Sequence, residues 1–173
     1  TPKTIVRFTG HLGGAIYGAA RASSQLSEGD RMAKAFGIVD PAIAIGRGLA
    51  ARLRASHRMS DVPASATPVG EALDAVIAAA PSADMILDVR SQVYGINHKR
   101  EDASNYFVMS ITWARLIDAR SKAVIAEARC IPTKTPPTQP LDRLVANNAE
   151  GIKAGLAAYV EPCIEQLAAK MKL

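Results

Sequence analysis

The chain has 173 residues, 49% of them hydrophobic but only 5% aromatic, and a net charge of +5. This length suits a single domain spanning residues 1–173 and is too short for two full-sized ones. The basic residues form no long run and are not interleaved with aromatic residues, so nucleic-acid binding is not expected. No stretch of about 18 uncharged apolar residues is present, so we expect no membrane-spanning helix.

The amino-terminal region predicts a strand followed by a glycine-rich segment. Residues 4–9 are short and β-branched, as is typical of a strand. Gly10, Gly14 and Gly18 recur every four residues, which would place them on one face of a helix and allow another backbone to approach closely. The alternative is a glycine-rich loop that leads into a helix near Ala15.

Two pairs of residues predict helix starts. Asp40 followed by Pro41 combines a preferred N-cap residue with a preferred first helical residue, and the helix is expected to continue to residue 58. Thr67 and Pro68 repeat the signal for a third helix, which Pro81 would end.

Three strands are predicted in the middle of the chain. Residues 85–94 alternate between apolar and polar side chains, which indicates a strand with one buried face and one face in water. Residues 106–117 alternate in the same way, and residues 122–130 return as their hairpin partner after a tight turn.

The polar face of the first of these strands is the candidate partner-binding surface. We expect Asp88, Arg90, Gln92 and Tyr94 to lie in a row, with Tyr106, Ser110 and Thr112 on the matching face of the next strand. A polar sheet face edged by tyrosines can receive a peptide or a partner domain. An ordinary solvated face is the alternative.

The two cysteines are the most specific feature of the chain. Cys130 ends a predicted strand, and Cys163 lies in the helical pattern of residues 141–173, which Pro162 is expected to kink or divide. This placement suits a disulfide that ties a carboxy-terminal helix to the sheet, although two buried free thiols would give the same sequence pattern. A minimal, even cysteine count and the absence of an initiator Met lead us to expect an exported protein whose signal peptide has been removed.

No motif indicates catalysis, a cofactor or a metal. The histidines, His11, His57 and His98, lie far apart in the sequence and have no ligand spacing. The chain has neither the nucleophile motif of serine hydrolases nor a phosphate-binding glycine loop. We therefore expect a protein that is not an enzyme and needs no cofactor.

Several segments resemble a known family of envelope domains. DPAIAIGRGLAARL, TPVGEALDAVIAAAPSADMILDVRSQVYG and YFVMSITWARLIDARSKAVIAEARC resemble the small α/β domain in the amino-terminal region of the Tol-system propeller protein. Related versions occur in the curli-export lipoprotein and in lipoprotein activators of penicillin-binding proteins. The last two segments, with LDRLVANNAEGIKAGLAAYVEPCIEQL, are also similar to uncharacterised exported proteobacterial proteins. The resemblance implies an envelope scaffold or partner-binding module without transferable catalytic residues.

The sequence thus predicts an α/β (α+β) protein: a mixed sheet of about four or five strands, helices packed on it and a disulfide-linked carboxy-terminal helix. Residues 1–131 would form the α/β core, residues 132–140 a proline-rich connector and residues 141–173 a helical tail. The predicted function is a non-enzymatic periplasmic or cell-envelope protein that binds another envelope protein, compatible with a lipoprotein and with peripheral membrane association. The alternative is a small-molecule or lipid-binding protein with its pocket between the sheet and the first helices.

Overall fold

The computed structural model describes residues 3–11, 30–62, 72–134 and 136–173. In chain order the elements are β1 (Thr4–His11), α1 (helical residues 30–36), α2 (Pro41–His57), β2 (Ser60–Asp61), α3 (Leu73–Ala78), β3 (Met85–Lys99), β4 (Asp102–Asp118), β5 (Ala123–Cys130), β6 (Gln139–Pro140), α4 (Leu141–Ala157) and α5 (Val160–Met171). No helix within these residues is long and apolar enough to cross a membrane.

The strands form one mixed six-stranded sheet. Its order is β2-β1-β3-β4-β5, with β1 parallel to β2 and β3, and with β3, β4 and β5 antiparallel. The short β6 pairs with the beginning of β4, at Asn105 and Tyr106. The predicted mixed sheet with packed helices is confirmed, and β6 is an additional strand.

Helix α2 begins where the sequence predicts. The Asp40 carboxylate accepts a hydrogen bond of 2.8 Å from the Ala42 amide, and Pro41 occupies the first turn. Ile45, Leu49 and Leu53 step by four residues along one side and are fully buried against the sheet. A capped start and a continuous apolar side therefore fix this helix on the core.

The second predicted helix start and most of the glycine segment lie outside the described residues. Thr67, Pro68, Gly14 and Gly18 belong to those parts of the chain. Gly10 is described, and its predicted place in a helix is wrong. It extends β1, where it pairs with Arg90 of β3, because the parallel ladder between these strands continues to His11.

Helices α2 and α5 cover one face of the near half of the sheet, by which we mean β1, β5 and the parts of β3 and β4 that lie between them. Residues from α2, α5 and the four strands β1, β3, β4 and β5 form the largest buried cluster, which includes Leu49, Leu87, Leu116 and Leu167. Helix α3 packs on the opposite face against Val6, Ile86 and Ile117, and α4 covers the far half of β3 and β4. The sheet is thus covered by helices on both faces.

The predicted disulfide is confirmed. Cys130 at the end of β5 and Cys163 in α5 form a disulfide, and their Cα atoms lie 5.4 Å apart. Both residues are buried. The predicted division of the helical tail is also confirmed, since α4 ends at Ala157 and α5 begins at Val160. Pro162 lies in the first turn of α5, where its missing amide proton costs no hydrogen bond within the helix.

Helix α5 also covers part of the free edge of the sheet. The Gln166 side chain accepts from the Ile131 amide at 2.9 Å and donates to the Ile131 carbonyl at 3.4 Å, as a neighbouring strand would. Lys170 donates to the Arg129 carbonyl at 2.8 Å. The end of β5 is therefore hydrogen-bonded on both sides.

Removing the disulfide is expected to lower the free energy of unfolding by about 3–4 kcal/mol, because the bridge closes a long loop in the unfolded chain. The two cysteines are 33 positions apart. The test is urea denaturation of the double variant Cys130→Ala/Cys163→Ala against the wild type, without reductant. The two proteins should have similar stability once dithiothreitol is added. Equal stability without reductant would contradict the prediction.

Candidate functional site

A groove of about 730 Å³ opens beside the disulfide. One wall is the connector between β5 and β6, the other is formed by α4 and the start of α5, and Val108 of β4 lies between them. Both cysteines contribute to its lining. The disulfide therefore joins the end of the strand to the helical wall of the groove.

The strand pairing of β4 explains why the groove exists. Strand β5 pairs with Thr112–Asp118, and β6 pairs with Asn105 and Tyr106. Residues 107–111 of β4 consequently have no strand partner on this edge in the described ladders. The connector that passes here contains Pro132, Pro136 and Pro137, whose nitrogens cannot donate to a sheet ladder. The chain stands away from β4 and leaves a gap.

The helical wall of the groove consists of small residues. Gly151, Ala154, Gly155 and Ala158 line it. A Cβ atom on Gly155 would lie only 2.7–2.9 Å from the side-chain carbons of Val108. The glycine is required at this position because α4 lies directly on β4.

The polar groups of the groove are few and mostly neutral. The Tyr159 hydroxyl donates a 2.9 Å hydrogen bond to the Val108 carbonyl, and burial raises the pKa of Tyr159, so the phenol stays protonated. Lys134 is the one charged residue among the described lining residues, which otherwise contribute hydroxyl, amide and apolar groups. No cluster of potential metal ligands occurs among the residues that the structure describes. The lining can hold an apolar molecule but offers no acid–base pair.

The predicted partner-binding residues do not share a face, so this part of the sequence interpretation is wrong. Between Ser91 and Val93 the register of β3 against β4 shifts by one residue, which is a β-bulge at Gln92. Arg90 pairs with Trp113 and Tyr94 pairs with Ser110. Those partners are three residues apart on a regular stretch of β4, so Arg90 and Tyr94 point to opposite faces.

The expected solvated face is also wrong for several of its members. Arg90 is 7% exposed, and Ser110 and Thr112 are fully buried, with hydroxyl groups that find no hydrogen-bond partner among the described residues. Tyr94 and Tyr106 are half-buried against α4, where burial raises the pKa of Tyr94. Gln92 is half-buried at the bulge. A partner-binding role for Arg90, Gln92, Tyr94 and Tyr106 stays a prediction.

A buried ion cluster occupies the face that carries Arg90. Asp88 is fully buried, and its two carboxylate oxygens accept from Arg90 Nε at 2.8 Å and from Arg115 Nη2 at 2.9 Å. The Arg115 guanidinium also lies 4.6 Å from the centre of the Trp113 ring. Sequence reasoning missed this cluster. Its one possible signal is that Asp88 and Arg115 have opposite charges and are direct cross-strand partners, but that pairing is known only once the strand register is known.

Comparison with known proteins gives only distant structural similarities. No protein-family model matches the chain, and no curated protein matches it in sequence. Solved structures with similarity include the hypothetical protein CT253 from Chlamydia trachomatis, at 10% identity over 96% of this chain and 94% of that chain, with a TM-score of 0.41. A PelC dodecamer from Paraburkholderia phytofirmans has 10% identity, coverage of 99% and 90%, and a TM-score of 0.41. Lipoprotein GNA1162 from Neisseria meningitidis has 14% identity, coverage of 97% and 99%, and a TM-score of 0.42.

These TM-scores and identities are low, so the similarities assign neither a family nor a function to this chain. The resemblance to the Tol-system domain stays a prediction.

Replacing Asp88 is expected to destabilise the protein strongly. Asp88→Asn leaves two buried guanidinium groups without their carboxylate, which lowers the free energy of unfolding by about 3–5 kcal/mol. The matched control is Asp61→Asn, which removes the carboxylate of an exposed pair with Arg54 and should cost less than about 1 kcal/mol. Urea denaturation of both variants measures the difference, and similar losses in the two would contradict the assigned role of Asp88.

Gly155→Ala is expected to lower the free energy of unfolding by about 1–2 kcal/mol, although alanine is the better helix former by about 1 kcal/mol. The new methyl group would overlap Val108, whose branched side chain cannot move away. The control is Gly155→Ala in a Val108→Ala background, which removes both γ-carbons that the new methyl group would meet, so the substitution should cost less there than in the wild type. Thermal melting measures the change in both backgrounds. A more stable Gly155→Ala protein would show that α4 is not in close contact with β4.

Proposed function

We propose that this protein is a non-enzymatic binding protein of the periplasm or cell envelope that holds an apolar small molecule or a lipid chain. The observation that carries the proposal is the groove beside the disulfide, about 730 Å³ in volume and lined mainly by apolar side chains. Volumes of about 300–1,000 Å³ are typical of small-molecule sites. Its position differs from the predicted one, because it lies between the sheet edge, the connector and the carboxy-terminal helices.

The disulfide supports the proposed compartment. Disulfides form and persist in oxidising compartments and are rare where thiols are kept reduced. Cys130 and Cys163 are the only cysteines in the sequence, and they are paired. The buried bridge contributes to the fold, so we place the protein where it remains oxidised.

The composition of the lining supports the proposed ligand class. An apolar ligand gains free energy in proportion to the apolar area removed from water, about 25 cal/mol per Å². The described lining residues include no carboxylate and only one cation, Lys134. A neutral acyl chain or aromatic ring fits this lining better than a strongly charged metabolite does, since a charged group would lose its hydration without a counterion.

A second candidate is the predicted binding of an envelope protein, and one observation favours it. Val124, Ile125 and Ile131 lie at the outer edge of the sheet and are 39%, 55% and 50% exposed. Ile131 also lines the groove. An exposed apolar residue at the rim of an apolar groove suits a partner protein that covers both. The identity of such a partner stays open to experiment.

The groove is tested with the neutral fluorescent probe N-phenyl-1-naphthylamine. The wild-type protein is expected to bind it with a dissociation constant on the order of micromolar, and Ala154→Trp is expected to bind it at least about tenfold more weakly, because the indole fills the groove. Ala51→Trp is the control, since Ala51 is likewise an exposed helical alanine and lines neither described cavity.

Native mass spectrometry of the protein purified from its source should also show a co-purified apolar ligand that Ala154→Trp lacks. Equal probe binding by Ala154→Trp and Ala51→Trp would overturn the assignment of the groove. Absence of probe binding by the wild type would remove the small-molecule proposal and leave the protein-binding one.

A further inference from the structure

A second, smaller cleft lies on the other side of the junction between α4 and α5. Its volume is about 360 Å³, and it separates the segment from Gly37 to Arg47 from the facing side of α4 and α5. Most of its lining is apolar: Ile38, Val39, Pro41, Ile43, Leu156 and Val160. Val39 is 64% exposed, more than any other large hydrophobic residue in the described part of the chain. This cleft therefore offers apolar surface to a ligand from solvent.

Two unpaired cations distinguish this cleft from the groove. Arg47 of α2 and Lys153 of α4 both line it. Within the described residues, neither has an ion pair with a carboxylate. Arg52, one turn further along α2, is by contrast paired with Glu165 and Glu161 of α5. In the described part of the chain, the helices thus pair a nearby arginine but give the two cations at the cleft no carboxylate partner.

One acidic residue also lines the cleft, and its carboxylate is already engaged. Asp40 Oδ1 accepts hydrogen bonds from the Ala42 amide and from the Ser91 hydroxyl. Counting Asp40 against Arg47 and Lys153 leaves one net positive charge on the described lining. The two cations would attract a bound anion more strongly than the single carboxylate of Asp40 would repel it.

We infer that this cleft binds an anionic amphiphile, with a carboxylate or phosphate head between Arg47 and Lys153 and an apolar tail against Val39 and Leu156. The two cations supply charge-assisted hydrogen bonds to the head, and the apolar lining removes the tail from water. The site is separate from the groove and differs from it in ligand charge. This inference goes beyond the proposed function and does not depend on it.

Isothermal titration with dodecanoate tests the inference. Arg47→Ala/Lys153→Ala is expected to bind dodecanoate at least about tenfold more weakly than the wild type, since two charge-assisted contacts are lost. Lys34→Ala/Arg143→Ala removes the same charges from two exposed helix positions outside the cleft and should bind as the wild type does. Dodecyltrimethylammonium, with the same tail and the opposite charge, should bind at least about tenfold more weakly than dodecanoate.

Each titration is repeated in the Ala154→Trp background, in which the groove is blocked, so that the remaining binding can be assigned to the cleft. Dodecanoate binding that persists there and is lost with Arg47 and Lys153 supports the cleft even if the groove proposal fails. Dodecyl phosphate in place of dodecanoate distinguishes a phosphate head from a carboxylate head. Unchanged dodecanoate binding by Arg47→Ala/Lys153→Ala, or absence of binding by the wild type, would overturn the inference. An acidic peptide that binds in its place would assign the cleft to a protein partner.

Discussion

The antiparallel pairing of β3 with β4 is the constraint on which the other elements depend. Met85–Lys99 and Asp102–Asp118 form a ladder long enough to carry separate helix layers along its length. Its near half holds α2 and α5 on one face and α3 on the other, and its far half holds α4. The bulge at Gln92 joins the two halves and reverses the alternation of β3. Each half can therefore present a different set of side chains to its own helices.

The ion cluster around Asp88 helps to determine the register of this ladder. A slip of one residue would move Asp88 away from Arg115 and to the other face of the sheet, into the apolar cluster under α2 and α5. Burying an unpaired carboxylate among apolar side chains is costly, so the shifted pairing is strongly disfavoured. The same cluster explains why a strand face that alternates in sequence like a solvated one is nevertheless buried.

Much of the fold could be predicted from local sequence signals, and the site could not. The Asp40 cap is a local preference, and the helix start that it predicts agrees with the structure, as does the predicted pairing of Cys130 with Cys163. The strand predicted at residues 106–117 is present, but its alternation does not separate a buried face from a solvated one, because Ser110 and Thr112 are buried. The bulge at Gln92 has no comparable signal, because it depends on how two strands are aligned. The groove depends on where the pairing of β5 with β4 ends and on the path of the proline-containing connector. Neither is determined by a single segment of the sequence. Because the bulge has no sequence signal, the alternation of β3 wrongly predicts Arg90 and Tyr94 on one face.

The side chains of α5 that contact the end of β5 affect more than the stability of the native chain. Gln166 and Lys170 occupy backbone groups that would otherwise be free to pair with a strand from another molecule. The disulfide and the buried side chains of α5 together hold them in place. Reduction would remove one of these two attachments, so the edge at Arg129 and Ile131 would open more often to a strand from another molecule. The bridge thus limits edge-to-edge association as well as stabilising the fold.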